Sequence, residues 1–306
     1  MVVGDLLLDE DVDGRTDRLC PDAPAPVLDV DSTTARPGGA GLAAVLAAAD
    51  GRTVRLVAAL DRDEAADRLR TLLDGCVTLR SGPGTGGTAV KTRLRAGGRV
   101  LLRADRGDGR AAERFGVEAG VARVLRGAAG VLVSDYGRGV AADERVRSAV
   151  AAAGRGGTPV VWDPHPRGPA PAPGVAVVTP NLSEACAELD APAPDPGDGR
   201  ALRELAAALR ERWSVGQVVI TLGAHGAALD GRVVAAPAVS GGDPCGAGDR
   251  FAGRLAAALA DGADLPTAVA EAVEAASRFV AAGGAGAVRR TSAGWCHPSP
   301  IPLAGA

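Results

Sequence analysis

Apolar runs of strand length alternate with longer runs of helical period along the chain. The strand-like runs cover residues 2–8, 54–60, 130–136, 158–164, 174–181 and 217–223. The helix-like runs cover residues 39–49, 64–74, 143–154, 202–213, 247–261 and 265–282. Because strands that alternate with helices usually pair in parallel beneath them, the pattern predicts an α/β fold with a mostly parallel central sheet. We expect a single domain over residues 1–306.

Two segments interrupt this alternation with β-type patterns. Residues 12–36 hold a short apolar run between Pro-rich loops, and residues 87–105 read as two β runs joined by Ala-Gly-Gly, a hairpin signal. We predict that these segments pair as a small β sheet that projects from the main domain as a lid. Because exposed sheet edges are usually covered, we also predict a homodimer in which the small sheets pair and close over a ligand.

Composition and charge exclude several classes of protein. The chain has 306 residues, of which 46% are hydrophobic and only 2% aromatic, so Ala, Val and Leu must fill the core. A net charge of −3, without a clustered basic excess, argues against a nucleic-acid partner. No apolar run approaches the roughly 20 residues that span a bilayer, and the acidic N-terminus lacks the basic region of a secretion signal.

The cysteines point to a reducing compartment. They number five, which is odd, and no pair has the CxxC spacing of a metal site. Because disulfides are rare in the cytosol, scattered reduced thiols fit a cytoplasmic protein. We therefore predict a cytoplasmic location, with neither a membrane nor a nucleic acid as partner.

The clearest chemical signal is the segment Asp243-Pro-Cys-Gly246-Ala247-Gly248-Asp249, which opens a predicted helix. Glycines permit a tight turn in which backbone N–H groups converge, and a helix N-terminus adds about half a positive charge. Together they form an anion hole suited to a phosphoryl group in transfer. Asp249 stands beside it, where the helix dipole would keep it ionised as a base for an attacking hydroxyl. The alternative is a plain helix start with Asp249 as its N-cap.

Three motifs together resemble those of a known family. They are Asp-x-x-Gly-Ala-Gly-Asp at residues 243–249, the Gly-Gly pair in Pro37-Gly38-Gly39-Ala40, and Asn-x-x-Glu in Asn181-Leu-Ser-Glu184. In order and separation they resemble the ribokinase-like (PfkB) sugar kinases over residues 1–290. The resemblance implies a ribokinase-like three-layer fold and transfer of phosphate from ATP, with Mg²⁺, to a sugar. Asp249 would be the catalytic base, and Gly246, Ala247 and Gly248 would form the anion hole.

Within this family, the chain most resembles kinases that phosphorylate D-glycero-D-manno-heptose 7-phosphate at O1. The more distinctive matches are the Pro-rich segment 21–27 and the loop Ser134-Asp135-Tyr136-Gly-Arg-Gly139. The resemblance implies heptose 1,7-bisphosphate as product, an intermediate toward a nucleotide-activated heptose. Many such kinases are fused to a nucleotidyltransferase domain. Because this chain ends at Ala306, we expect a kinase alone.

The resemblance also implies which residues contact the sugar. Asp5 and Asp9 would grip sugar hydroxyls, and the alternative is a solvated strand end. Gly38 and Gly39 would let the backbone approach the sugar closely, although a simple helix-start turn would need the same residues. Asp135, directly after a strand, would lie near the site of phosphate transfer, because ligands bind at the carboxyl ends of strands in such sheets.

A sugar that already carries a phosphate needs a cationic partner. The proposed hairpin supplies Lys91, Arg93 and Arg103. Arg is suited to bidentate phosphate contact, so we assign the sugar phosphate to this cluster. The alternative is that these side chains are merely solubilising.

The nucleotide side is implied to comprise Asn181, Glu184, Thr221, Gly223, Gly226 and Asp243. Glu184, together with Asn181, would organise Mg²⁺ through its waters, because Mg²⁺ keeps several waters when bound. The same pair also matches a capping box, so a structural role is open as well. Gly223 and Gly226 would belong to the nucleotide loop, for which a plain hairpin turn is the alternative.

Two other functions stay open from the sequence. A kinase of the same fold could act on fructose phosphate, ribose or a nucleoside. A non-catalytic sugar-binding protein could use the same scaffold, and its one hint is Leu42, near the place of an Asn that touches the sugar in the family. The intact Asp249 and Gly246–Gly248 argue against it, because a binding protein needs no base beside an anion hole.

Overall fold

The computed structural model of the chain describes residues 1–117, 120–292 and 294–297. The strands are β1 (Val2–Gly4), β2 (Leu6–Leu19), β3 (Pro26–Gly39), β4 (Val54–Leu60), β5 (Val77–Thr85), β6 (Val90–Ala96), β7 (Arg99–Arg106), β8 (Arg110–Ala111), β9 (Val131–Ser134), β10 (Val160–Asp163), β11 (Val177–Val178), β12 (Gln217–Thr221), β13 (Ala227–Leu229), β14 (Arg232–Val234), β15 (Arg289–Thr291) and β16 (Gly294–Cys296). The α-helices are α1 (Ala40–Ala49), α2 (Glu64–Leu73), α3 (Val121–Leu125), α4 (Glu144–Arg155), α5 (Leu182–Leu189), α6 (Gly199–Trp213), α7 (Ala247–Ala260) and α8 (Leu265–Ala281). The predicted domain end at Ala306 lies outside the described residues.

The central sheet has the strand order β14-β13-β12-β11-β10-β9-β1-β4-β5-β8 within the described chain. Neighbours from β12 to β5 are parallel, and only the edge strands β13, β14 and β8 pair antiparallel. A hydrophobic core lies on each face of this sheet. Successive side chains of a strand point to opposite faces, so Leu56 packs in one core and Val57 in the other. Helices α1, α2, α7 and α8 cover one face, and α3 to α6 cover the other. These layers confirm the predicted three-layer α/β fold.

The predicted helices match the structure more closely than the predicted strands do. Helices α1, α7 and α8 begin within one residue of their predicted starts. The apolar run 2–8, by contrast, is not one strand, because Asp5 separates β1 from β2 and β2 belongs to a different sheet. Of the run 174–181, only Val177 and Val178 form a strand of the sheet, and Asn181 adds an isolated β-bridge to Thr221. Apolar pattern alone therefore located strands but did not fix where pairing stops.

A second sheet, hereafter the lid, has the order β3-β2-β6-β7. Strands β2 and β3 are 14 residues long and pair antiparallel, β2 and β6 are parallel, and β6 and β7 form a hairpin that turns at Gly97 and Gly98. The near end of β2 is buried with Leu6, whereas the far end at Leu19 is exposed. The lid is thus rooted in the core and projects from it, as the predicted fold class requires.

Neither a membrane span nor a disulfide is found in the described ranges. No helix there is both long and apolar enough to cross a bilayer. The five cysteines all lie in these ranges and are free, in agreement with the reduced state predicted from their spacing.

The packing of the central sheet predicts a clear contrast between two valines. Val57 in β4 is fully buried, whereas Val233 in the edge strand β14 is 37% exposed. Val57→Ala should lower the free energy of unfolding by about 1.5–3 kcal/mol, because it removes buried methyl groups and leaves a cavity. Val233→Ala, the matched control, should cost well under half as much. Chemical denaturation measures both, and equal losses would contradict the assigned core.

Candidate active site

Asp249 lies in the first turn of α7, directly after a tight glycine turn. Gly246 is the N-cap of the helix and has φ 82°, and a Cβ there would stand only 2.6 Å from Leu42 Cδ2. Glycine is therefore required at this position both by conformation and by space. The N-cap is Gly246 and not Asp249, so the alternative of Asp249 as a plain N-cap is wrong.

The turn leaves part of its backbone open to a ligand. The Ala247 N–H donates to Pro244 O at 3.0 Å, so this member of the predicted anion hole bonds within the turn. Gly248 and Asp249, in the same first turn, have no acceptor inside the helix. A Cβ at Gly248 would meet no atom within 4 Å, so this side of the turn faces open space. Asp243 shapes the loop, since its Oδ1 accepts from the Cys245 N–H at 2.9 Å.

The carboxylate of Asp249 is buried against a tyrosine. The Tyr136 hydroxyl donates to Asp249 Oδ1 at 2.9 Å and Oδ2 at 2.8 Å. Burial raises the pKa of Asp249 to about 7, and the Tyr136 hydrogen bond opposes that rise. Desolvation therefore opposes the ionisation that the helix dipole was expected to favour.

Asp5 holds the loop that carries this tyrosine. Its carboxylate accepts three backbone N–H groups, from Tyr136 and Arg138 at 2.9 Å and from Val140 at 3.2 Å. The side chain is almost fully buried, so the structure places Asp5 under the site and not on its open surface. Gly39 packs against it with φ 59°, where a Cβ would stand 2.5 Å from Asp5 O.

Asp135 lies in the same loop and faces the protein. Its Oδ1 accepts from the Gly137 N–H at 2.8 Å, and its Oδ2 is buried without a partner among the described residues. Burial raises the pKa of Asp135 to about 7. The side chain packs on Gly168, where any Cβ would clash with Asp135 Oδ2. The main role of the Asp135 carboxylate in this structure is thus to hold the shape of its own loop.

The lid presents a charged face to Asp249. Asp9 accepts from Arg93 Nη1 at 3.1 Å, and Gly38 packs so tightly on Asp9 that a Cβ would stand 2.4 Å from Oδ2. Arg93 Nη2 lies 3.5 Å from Cys245 Sγ, which joins the lid to the glycine turn. The lid and the helix start therefore meet through Arg93, whose charge is already paired with a carboxylate.

The other two predicted cations differ in their partners. Arg103 is 55% exposed at the side chain and is paired with Asp105, with two contacts of 2.9 Å. Lys91 Nζ lies 5.4 Å from the centre of the Tyr136 ring, and no carboxylate oxygen of the described residues is within 4.0 Å of it. Burial lowers the pKa of Lys91. Lys91 is therefore the predicted cation most available to an anion beside Asp249.

A polar cavity of about 320 Å³ opens over Asp249. It is lined by four acidic residues, Asp135, Asp163, Glu184 and Asp249, and by Gly246 and Gly248. The Thr179 hydroxyl donates to Asp163 Oδ1 at 2.9 Å, yet burial and the nearby Asp249 raise the pKa of Asp163 well above its ordinary value. Such a concentration of buried acids is a place where positive charge would be stabilising.

A larger, apolar cavity of about 540 Å³ adjoins it. Its walls include Thr221, Gly223, Gly226, Phe251, Val273 and Val280. The two cavities share Thr221, Gly223, Gly248 and Phe251, so they meet at the start of α7. An apolar pocket that opens on a glycine-lined helix N-terminus suits a flat base attached to phosphates.

Asn181 and Glu184 form a reciprocal cap at the start of α5. Asn181 Oδ1 accepts from the Glu184 N–H and Glu184 Oε2 accepts from the Asn181 N–H, both at 2.9 Å. The capping-box alternative is thus present in the structure, while Glu184 also lines the polar cavity. No three acidic, His or Cys side chains of the described chain converge closely enough to hold a metal directly. The oxygen-rich lining therefore fits a hydrated Mg²⁺ better than an all-protein metal cage.

The structure also brings forward groups to which sequence reasoning assigned no role. Tyr136 and Asp163 touch or face Asp249, and His165 lines the same cavity. The only sequence signal for Tyr136 was its place in the loop 134–139 as the single tyrosine of the chain. Of the predicted residues, Arg103 stands outermost, because its exposed side chain is held by Asp105 on the same strand.

The chain is similar in sequence to longer proteins named HldE. The bifunctional protein HldE of Streptomyces coelicolor is 48% identical over 293 residues, covering 94% of this chain and 61% of the relative. The bifunctional protein HldE of Pseudomonas syringae pv. tomato is 35% identical over 277 residues, covering 88% of this chain and 57% of the relative. The chain thus spans about three fifths of the length of these relatives.

Solved structures share the fold at low identity. A ribokinase of Arabidopsis thaliana, complexed with ribose and ATP, superposes with a TM-score of 0.66 at 22% identity, and 91% of each chain is covered. The tetrameric inhibited form of phosphofructokinase-2 of Escherichia coli gives a TM-score of 0.67 at 19% identity, covering 92% of this chain and 95% of that one. These likenesses show the ribokinase-like fold.

The family assignment rests on most of the chain. The pfkB family carbohydrate kinase profile matches residues 1–291, which include the lid, both cavities and Asp249. The three motifs that suggested the resemblance lie inside this range, and the fold agrees with it. The chain therefore belongs to the pfkB family of carbohydrate kinases.

Proposed function

We propose that this protein transfers the γ-phosphoryl group of ATP to O1 of D-glycero-D-manno-heptose 7-phosphate and so forms heptose 1,7-bisphosphate. The observation that carries the proposal is the position of Asp249, in the first turn of α7 where the polar and apolar cavities meet. A nucleotide in the apolar cavity would direct its phosphates at this turn. The similarity to proteins named HldE agrees with the motif resemblance to heptose 7-phosphate kinases.

Asp249 would act as the general base. Its carboxylate would accept the proton of the attacking sugar hydroxyl while that oxygen bonds to the γ-phosphorus. The free N–H groups of Gly248 and Asp249 would stabilise the charge on the phosphoryl oxygens. A burial-raised pKa suits this role, since a base is most effective when its pKa lies near the working pH.

Of the acids that line the polar cavity, Glu184 would serve the nucleotide phosphates through Mg²⁺. Glu184 is the nearest candidate for an indirect contact through water, with Asn181 holding its orientation. When bound, Mg²⁺ neutralises phosphate charge and orients the transferring group. Thr221, Gly223 and Gly226 would border the nucleotide, while Asp243 would act by holding the glycine turn in shape.

The phosphosugar is proposed from the cations beside Asp249. Lys91 has no carboxylate partner among the described residues, and its Nζ lies over the ring of Tyr136, so it is the first candidate for the sugar phosphate. Arg93 and Arg103 would have to exchange Asp9 and Asp105 for the phosphate. Asp9, which lies next to Gly38 at the root of the lid, would keep a free oxygen for a sugar hydroxyl.

A second candidate is another sugar, sugar-phosphate or nucleoside kinase of the same family. It is favoured by Leu42, which is buried against Gly246 where a polar residue would reach the sugar. A non-catalytic sugar-binding protein is disfavoured by the placement of Asp249. We further propose that the protein works in the cytoplasm. We also propose a homodimer through the lid, which exposes five large apolar side chains: Leu19, Val30, Val100, Leu101 and Leu102.

Asp249→Asn tests the proposed chemistry. The variant should lose about 10²–10⁴-fold in kcat, because it keeps size and polarity but cannot accept a proton. ADP release is measured for both proteins with MgATP and a panel of sugars and sugar phosphates. Turnover on another sugar would reject the heptose substrate and keep the mechanism, whereas sugar binding without any turnover would reject a kinase function.

The same variant should be more stable than the wild type at pH 8. The folded-state pKa of Asp249 lies above the ordinary value, so ionisation costs stability from about pH 4 upward, and the cost is complete above about pH 7. Removing the carboxylate should therefore raise the free energy of unfolding at pH 8 by roughly 1–4 kcal/mol and change it little at pH 4. Denaturant titrations at both values measure this. A less stable variant at pH 8 would contradict the desolvated carboxylate.

The pH dependence of kcat/KM should show an acid limb near pH 7. Burial raises the pKa of Asp249 to about 7, so the base becomes protonated and inactive at a higher pH than an ordinary carboxylate would. Rates between pH 5 and 9 measure the limb. Asp135→Asn is the control, because the pKa of Asp135 is raised similarly. The limb must persist in that variant, and a limb near pH 4 in the wild type would contradict the assignment.

If the protein dimerises through the lid, one charged substitution on the lid should disrupt the dimer. Leu102 is 57% exposed on the lid, so Leu102→Glu should shift sedimentation equilibrium from dimer to monomer by placing a charge in an apolar contact. Val233→Glu, at the far edge of the central sheet, is the matched control and should leave the dimer intact. A wild-type monomer at working concentration would reject dimerisation through the lid.

A further inference from the structure

Tyr136 is held between three parts of the molecule. Its backbone N–H donates to Asp5 Oδ2 at 2.9 Å, which fixes the loop. Its ring lies under Lys91 Nζ, stacks on His165 with ring centres 6.3 Å apart, and packs against Gly39. Its hydroxyl reaches both oxygens of Asp249. With the loop, the ring and the hydroxyl all constrained, the direction of this donor is determined by the fold.

A hydrogen-bond donor in a fixed position changes the ionisation of a buried carboxylate. A hydrogen bond to the ionised form stabilises that form relative to the protonated acid. A carboxylate has about four lone-pair positions, so it can keep the tyrosine and still accept a sugar hydroxyl. Burial and nearby carboxylates raise the pKa of Tyr136 well above its ordinary value, so the phenol remains a donor over the working pH range.

We propose that Tyr136 is a positioning residue for catalysis: its hydroxyl orients Asp249 and keeps it ionised, and its ring carries Lys91 above the same site. The proposal rests on the proposed role of Asp249 as base. It assigns to the loop 134–139 a chemical task beyond that of a substrate contact. Tyr136 itself exchanges no proton with the substrate.

Other groups facing Asp249 would not replace this donor. Asp9 from β2 and Asp163 from β10 are acids that oppose its ionisation, whereas Lys91 from β6 favours it. Ser134 at the end of β9 also favours ionisation, and the start of α7 contributes its backbone N–H groups. Among these groups, Tyr136 is the neutral side chain that contacts both oxygens of Asp249 directly. Removing its hydroxyl should therefore have a distinct effect on the ionisation of Asp249.

Tyr136→Phe removes the hydroxyl and keeps the ring beneath Lys91. The acid limb of kcat/KM should move up by about one pH unit, since a hydrogen bond to a charged group is worth about that much. Activity should accordingly fall about tenfold more at pH 6 than at pH 9. A limb that stays in place, or a loss of equal size at all pH values, would overturn the proposal. Thermal melting confirms that the variant is folded.

A second measurement uses the fact that the chain has one tyrosine. Global replacement of tyrosine by 3,5-difluorotyrosine, in a preparation without an added tyrosine, changes Tyr136 alone and makes its hydroxyl a stronger donor. The acid limb should then move down, opposite to Tyr136→Phe. In the absence of substrate, the ¹⁹F signal of this ring should show a step at the pH of the acid limb. That step should be absent in Asp249→Asn, where any remaining step belongs to ionisation of the fluorinated phenol itself. A resonance that does not change between pH 5 and 9 would overturn the proposal.

The two readouts separate this proposal from the proposed function. If Asp249→Asn is inactive but Tyr136→Phe leaves the acid limb unchanged, the base is retained and the role of Tyr136 is rejected. If Asp249→Asn keeps full activity, the proposed base fails and the positioning role falls with it. Opposite movements of the limb in the two tyrosine forms, together with the ¹⁹F titration, support the role of Tyr136.

Discussion

The site depends on the carboxylate of Asp5 at the point where the chain leaves the central sheet. Its oxygens accept the backbone N–H groups of Tyr136, Arg138 and Val140, and its own carbonyl accepts the N–H of Ala40 at the start of α1. Desolvating a carboxylate is costly, and three donors offset that cost. Because Asp5 also separates β1 from β2, one residue connects the core sheet, the lid and the loop that touches Asp249.

The edge of the sheet beside Asp249 contains buried acidic residues whose pKa values are raised. Burial raises the pKa values of Asp135 and Asp249 to about 7 and that of Asp163 well above its ordinary value. Such groups destabilise the fold when they ionise, which is the cost of burying carboxyl groups around the proposed base. Burial of Val, Leu and Ala side chains on both faces of the sheet stabilises the fold and offsets this loss of stability.

The lid combines two surfaces with opposite properties. The residues that face the site form ion pairs, with Asp9 and Asp11 of β2 bonded to Arg93 and Arg36. Elsewhere the lid exposes Leu and Val side chains that the central sheet would have buried. Paired charges can exchange partners when an anionic ligand arrives, whereas an exposed apolar surface is best stabilised by contact with another surface. These two properties suit the proposed roles of the lid in binding a ligand and in contacting a second copy of the chain.

Local signals in the sequence determined much of this protein. Period and turn chemistry predicted the main helices, the parallel sheet, the hairpin at Gly97 and Gly98, and the glycine turn before Asp249. The helices, the hairpin and the turn depend on residues close together in the chain, and the parallel sheet was inferred from the local alternation of strands and helices. The resemblance of three short motifs was enough to indicate the family, which the match over residues 1–291 establishes.

Only the tertiary structure decided how the charged groups of the site are partnered. Asp249 meets Tyr136 across 113 positions of sequence, Asp5 meets the same loop across 131, and Arg93 is occupied by Asp9 across 84. Burial among segments that are distant in the chain raises the pKa of Asp249, an effect that the local helix start did not indicate. Sequence alone determined the residue types and local turns, whereas burial and charge pairing required the fold, because both depend on contacts between segments far apart in the chain.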